Sequence, residues 1–181
     1  MSSPSQLEMV RPHFNDLPPL DVPSGCALRT YLPGDENHWA RIMNDSIGSG
    51  WDGVRCLREL VNRVQFQADG CFFATVDGVP QGTATAYVLE AFQPDAGYVH
   101  MVGVAPAQRG RGLGLLLTLA TLHWFHRKGF RQALLRTDDW RLPAIGVYLR
   151  LGFEPVLFDD SHAARWAEVR RQLRPHPGVV P

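Results

Sequence analysis

The run Gln108-Arg109-Gly110-Arg111-Gly112-Leu113-Gly114 is where this sequence most plainly offers chemistry. Alternating glycines clear side chains from a stretch of backbone, and a strongly apolar segment begins at Leu113. If that segment is a helix, its first amides have no partner inside it and, with the helix dipole behind them, favour an anion. Arg109 and Arg111 add positive charge, so a pyrophosphate is the natural occupant. A Walker turn is excluded because no Gly-Lys-Ser/Thr is present, and the dinucleotide GxGxxG spacing is unmet, since Gly110, Gly112 and Gly114 alternate with other residues. A glycine-rich loop that merely starts a helix is the plain alternative, and the flanking arginines argue against it. Neither a Gly-x-Ser-x-Gly element nor an ordered Ser, His and acid set can be recognised, which removes the simplest hydrolase readings.

The elements around this turn can be read from pattern. Ala27 to Leu32 is expected as a strand closed by Pro33-Gly34, with Asp35 capping a helix toward Asn44. Leu57, Leu60, Val61 and Val64 recur at helical spacing, predicting a helix over Val54 to Gln67. Cys71 to Val76 and Val79 to Leu89 read as a hairpin joined by Asp77-Gly78. Gly97 to Val104 is a further strand, and the Leu113 to Lys128 helix ends at Gly129. Gln132 to Thr137 returns as a strand, Pro143 opens a helix to Arg150, and Phe153 to Phe158 supplies a last strand. Strands on either side of the Leu113 helix should be parallel and the hairpins antiparallel. The fold class is therefore mixed α/β, or α+β, with helices packed on a mixed sheet. Pro4, Pro12, Pro18, Pro19 and Pro23 make residues 1–25 an expected extended arm that supplies no central strand. Residues 26–158 are expected to form the domain, and 159–181 a C-terminal extension and tail.

The run Val104-Ala105-Pro106-Ala107-Gln108-Arg109-Gly110-Arg111-Gly112-Leu113-Gly114 resembles the coenzyme A signature of the GNAT superfamily of N-acyltransferases, the Arg-x-x-Gly-x-Gly core falling on Arg109, Gly112 and Gly114. Downstream, Ala144-Ile145-Gly146-Val147-Tyr148-Leu149-Arg150-Leu151-Gly152-Phe153 is similar to the family's Ala-x-x-x-Tyr-x-x-x-Gly-Phe element. The resemblance implies a GNAT-like, mostly antiparallel sheet whose central parallel pair is splayed at the acyl-CoA site, with helices on both faces. It also implies acetyl-CoA or another acyl-CoA as co-substrate, without a metal, and transfer to the amine of a small molecule or protein.

Carried over by position, the resemblance puts the CoA pyrophosphate on the backbone of Arg109, Gly110, Arg111, Gly112, Leu113 and Gly114. It puts the pantetheine arm on Val102, Gly103 and Val104, where a bulge should open the strand. Tyr148 matches the tyrosine that meets the departing thiolate. His100, four residues before Val104, is the preferred base, since an imidazole accepts protons near neutrality, and Glu90 is the reserve. Arg141 stands where the family often has an asparagine, leaving the cofactor contact at that corner open. Asp138-Asp139-Trp140 before it could cap a helix or shape the cleft, and the cap is favoured. Asp45 and Trp51 are candidate acceptor contacts, Trp51 being equally suited to clamping its own loop. A non-catalytic acyl-CoA-binding regulatory module is the alternative function.

Bulk properties agree with one small-molecule site. The chain has 181 residues, with 18 basic and 18 acidic side chains, so no field draws nucleic acid. No membrane-length apolar run and no secretory leader pattern is seen, pointing to the cytoplasm. Cys26, Cys56 and Cys71 lack metal-ligand spacing and read as packing thiols. His123 and His126 stand three apart without an evident third ligand, so no metal is implied. A homodimer is left open.

Overall fold

The computed structural model describes residues 5–88 and 95–173. Seven strands form one sheet: β1 (Leu7–Arg11), β2 (Cys26–Thr30), β3 (Cys71–Val76), β4 (Val79–Val88), β5 (Ala96–Val104), β6 (Gln132–Thr137) and β7 (Glu154–Val156). Their order is β2-β3-β4-β5-β6-β1-β7, and among the described residues only the pairing of β5 with β6 is parallel. The helices are α1 (Glu36–Ser46), α2 (Gly53–Cys56), α3 (Leu113–Arg127), α4 (Leu142–Arg150) and α5 (His162–Leu173). The crossover from β5 through α3 to β6 supplies the parallel pair, because parallel neighbours need a long connection.

Strand alternation sorts the core into two layers. Phe72 and Ala74 of β3 join an apolar cluster with Leu113, Leu117 and Phe125 of α3, Tyr148 of α4 and Trp166 of α5. The intervening Cys71 and Phe73 join a second cluster with Trp39, Ile42 and Met43 of α1 and Cys56 of α2. Helices thus cover both faces of the sheet. Burial pushes the thiols of Cys56 and Cys71 up to about 12, as suits packing residues. The β3–β4 hairpin turns at Asp77 and Gly78, with φ of 51° and 77°, the backbone that an Asp-Gly turn provides.

Several expectations need correction. The proline-rich beginning does supply an interior strand: β1 pairs antiparallel with β6 on one side and β7 on the other. Pro12 follows β1 rather than interrupting it, so every β1 residue keeps its amide. The segment after it is packed too: the Phe14 ring lies 6.5 Å from that of Phe125, and Pro18 O is 2.8 Å from His123 Nε2. His126 sits edge-on to Phe14, so both α3 histidines border the N-terminal segment. Residues beyond 158 include α5, whose Trp166 and Val169 are buried against the sheet. The expected Val54–Gln67 helix is shorter. After α2 the chain continues as a π-turn over Leu57–Val61, where Asn62 N donates to Leu57 O at 2.8 Å. That wider turn ends the helix early and leaves Val64 exposed.

Asp35 stands at the α1 N-cap but accepts no cap bond from that helix; it takes hydrogen bonds from Leu32 N and the Arg29 guanidinium. Gly152, at φ 78°, ends the α4 region, and a Cβ there would collide with Arg11 Nη1. The buried Arg11 guanidinium pairs with Asp16 and occupies the space that a side chain at 152 would need.

Candidate active site

At the centre of the sheet, β5 leaves its parallel neighbour. Pairing with β6 covers Ala96–Tyr98 against Gln132–Leu134 and goes no further, although β5 runs on to Val104. On the other side, β5 meets β4 with a register shift: Thr85 opposes His100 and Thr83 opposes Gly103, so Met101 and Val102 together face the single residue Ala84. This is a β-bulge, and Met101 carries its strain at φ 52°, left-handed backbone that a side chain rarely adopts. The bulge resets the alternation. Val99, Val102 and Val104 pack toward the α3 cluster, whereas Met101 packs with α1 and His100 stacks on Tyr87. Beyond Tyr98 the β6-facing edge of β5 is therefore free of sheet pairing, and a wedge opens between two parallel strands.

The wedge leads to the glycine-rich turn. Pro106–Gln108 form a short 3₁₀ turn, Gly110 and Gly112 take φ of 77° and 81°, and α3 starts with no side-chain cap. Glycine supplies those angles at little cost. The first α3-region amide with a backbone acceptor is Leu116 N, which donates to Gly112 O; those from Gly110 to Leu115 have none among the described residues. A row of free amides at the head of a helix fits a diphosphate, and a splayed strand edge fits an extended amide-bearing arm. These residues suit coenzyme A.

A family model for the acetyltransferase (GNAT) family matches residues 39–153. The chain belongs to that family. Mycothiol acetyltransferase of Nocardia farcinica is 37% identical over 163 residues, taking in 83% of this chain and 52% of the relative. Mycothiol acetyltransferase of Rhodococcus erythropolis is 32% identical over 158 residues, 81% of this chain and 52% of its own length. The chain thus spans about half the length of these curated relatives. Among solved structures, a GCN5-related N-acetyltransferase from Sphaerobacter thermophilus aligns with a TM-score of 0.66 at 22% identity, covering 83% of this chain and 49% of that one. AAC(6')-Iy in complex with the bisubstrate analogue CoA-S-monomethyl-acetylneamine aligns at 0.61 and 23% identity, covering 75% of this chain and 97% of that one. At such identities the likeness is one of fold.

Within this GNAT fold, Tyr148 lies on the inward side of α4, buried, its ring 5.9 Å from Phe153. Burial raises its phenol to about 12, so it is protonated at neutral pH and able to donate. His100 is stacked 4.4 Å from Tyr87 and lies tilted 5.8 Å from Tyr98. Desolvation pushes its imidazole down to about 4, leaving it neutral at pH 7. Glu90 lies outside the described residues.

The arginines are placed differently from what charge alone suggested. Arg109 turns from the glycine-rich turn toward backbone: its Nε donates to Val104 O at 3.2 Å and its Nη2 to Asp45 O at 2.7 Å. Arg111 bonds to Gln108 Oε1, with its Nη2 3.8 Å from Cys26 Sγ. Arg141 donates to Asp138 Oδ2 at 2.8 Å, Ser46 O at 3.1 Å and Ile47 O at 3.4 Å, and its guanidinium lies 4.2 Å from the Trp140 ring centroid. Burial alone would raise the Asp138 carboxyl, but hydrogen bonds from Arg141 and Gln6 outweigh it and hold the group below the usual range. Neither aspartate caps α4. Asp139 binds Arg165 of α5, and Asp138 orients Arg141.

Trp51 packs edge-on against Trp39 at 5.2 Å and carries the Arg55 guanidinium 3.7 Å from its ring centroid. Asn44 closes the loop between α1 and α2: its Nδ2 donates to Trp51 O at 2.8 Å while its Oδ1 accepts from Trp51 N at 2.9 Å. Asp45 is exposed at the end of α1. Asn44 and the two arginine contacts to α1 were not singled out from sequence, since nothing in residue type or spacing marks a side chain that will reach a distant carbonyl.

Proposed function

We propose that this chain moves an acetyl group from acetyl-CoA, or another acyl group from a related acyl-CoA, to a primary amine by direct attack in a ternary complex. The observation that carries this reading is the continuous path from the splayed, bulged end of β5 into the open amides that precede α3. The pyrophosphate would rest on the backbone from Arg109 to Gly114, and the pantetheine arm would pair with Val102, Gly103 and Val104 in place of the missing strand. A Val102 amide directed at the thioester oxygen would stabilise charge developing there.

The remaining roles follow from protonation states. Tyr148, held protonated by burial, donates a hydrogen bond to the departing thiolate. With its phenol near 12, that bond need not become a full proton transfer. His100 is uncharged and so free to accept a proton. At about 4 it is a weak base, and it serves best by relaying a proton through water from an amine already close to neutral. Glu90 is the reserve for this role. Trp51, on the loop after α1, and Asp45, at the end of α1, are proposed to meet the acceptor.

The acceptor is proposed as a small-molecule amine, with mycothiol-related amines first to be tried because relatives carry the name mycothiol acetyltransferase. A cytoplasmic location is part of the proposal and is supported by three free thiols. Among the described residues no helix is long and apolar enough to cross a membrane. The test is thiol release from acetyl-CoA across a panel of small amines and peptide N-termini, with coenzyme A binding followed calorimetrically. Amine-dependent release that falls in Tyr148→Phe is expected. Binding without turnover across the panel would instead favour the regulatory module.

A further inference from the structure

The C-terminal end of α1 lacks what such an end normally has. Its last turn contains no basic residue, although the dipole leaves negative charge there and its final carbonyls have no partner within the helix. Met43 O is taken up locally by Ile47 N and Gly48 N. Three later carbonyls are satisfied from far along the chain: Asp45 O by Arg109, Ser46 O and Ile47 O by Arg141. One arginine belongs to the phosphate-binding turn, the other to the loop that leads into α4 and Tyr148. Ser46 Oγ lies 3.3 Å from Val104 O, the same carbonyl that accepts from Arg109 Nε, so the end of β5 enters the same knot.

We propose that Arg109 and Arg141 are positioning residues that clasp the end of α1 from two cofactor-side loops, so that filling the coenzyme turn tightens the acceptor-side loop at residues 47–52. The inference rests on the site reading above and extends it: the two substrates communicate through two guanidinium groups rather than through contact with each other. Coenzyme pressing on the turn backbone fixes Arg109, which fixes Asp45 O. Arg141, oriented by Asp138 and stacked on Trp140, holds the two following carbonyls. Since Asn44 ties Trp51 to the same helix end, the proposed acceptor contacts move with it. Coupling between sites is reciprocal, so an acceptor should also tighten coenzyme binding.

Hydrogen exchange on the full chain, with and without coenzyme A, tests this at the hydrogen-bonded amides of Ile47, Gly48 and Trp51. In the wild type, saturating coenzyme A should slow their exchange by about fivefold, in the ordinary range of coupling between sites. Arg141→Met should exchange faster there without ligand and lose most of the slowing, while calorimetric coenzyme A affinity stays within about twofold and the acceptor KM rises more than kcat falls. Arg141→Lys, which keeps charge but not the fork, should fall between the two and serves if the methionine variant does not fold. Wild-type chain that binds coenzyme A yet leaves these amides unchanged overturns the coupling alone. A tenfold loss of coenzyme A affinity in Arg141→Met also overturns it, by making Arg141 a cofactor ligand. A flat calorimetric trace for the wild type brings down the site reading and the coupling together.

Discussion

The glycine-rich turn, proposed to hold the diphosphate, and the loop after α1, proposed to meet the acceptor, are joined by Arg109 at one end of the sheet and are built by opposite means. The turn is made by backbone: left-handed glycines at 110 and 112 and the bare head of α3 leave amides outward, and its arginine side chains are engaged elsewhere. The loop is made by side chains: Asn44, Arg109 and Arg141 hold its carbonyls and amides across as many as 95 residues of sequence. A backbone device tolerates exchange of side chains but not of the glycines. A side-chain device tolerates drift in the backbone but not loss of a donor.

That contrast can be broken most forcefully at Gly112. Gly112→Asp should cost at least about a hundredfold in coenzyme A affinity, about 3 kcal/mol, because it forces a side chain into left-handed backbone and sets like charge beside the diphosphate; calorimetry would read it. Tyr148→Phe should lower kcat by roughly ten- to a hundredfold with binding unchanged, separating chemistry from the turn. His100 gives a stability effect whose sign follows from its folded pKa near 4, below the ordinary value of 6.5. Its contribution is complete above pH 6.5 and is lost as pH falls toward 4, where the unfolded chain takes up a proton that the folded chain resists. His100→Gln should flatten that fall by about 1–2 kcal/mol in denaturant titrations, and should also remove any acid limb near pH 4 from the rate profile. Asn44→Ala should raise the acceptor KM by about three- to fivefold and leave coenzyme binding alone. Arg111→Ala should weaken coenzyme A by no more than about threefold; a loss approaching that of Gly112→Asp would erase the distinction between the two devices.

Legibility followed the same division. The hairpin at Asp77-Gly78, β6 and α3 could be read because local signals decide them: turn residues, alternation, and an apolar run ended by glycine. The glycine-rich turn was legible for a related reason, since left-handed backbone at 110 and 112 calls for glycine, whereas the Tyr148 element was legible only as a resemblance to the family. The role of β1 was not, because a short Leu7–Arg11 segment among prolines becomes a strand only when β6 and β7 offer edges on both sides. Asp138 and Asp139 looked like helix caps, and the competing attraction of Arg141 and Arg165 won. α5 escaped notice because its large apolar residues, Trp166, Val169 and Leu173, are few and its surface is charged. His100 was proposed from its position in β5, but its depressed pKa comes from desolvation beside Tyr87 and Tyr98, which spacing does not reveal.

The insertion of β1 between β6 and β7 bears on how the molecule is made. As a ribosome extrudes the polypeptide, Leu7–Arg11 emerges long before the edges it joins, since both Gln132–Thr137 and Glu154–Val156 must first clear the exit tunnel. The segment therefore stays without sheet partners while the residues between β1 and β6 are made, and closure of the sheet waits on a pairing that spans nearly the whole described chain.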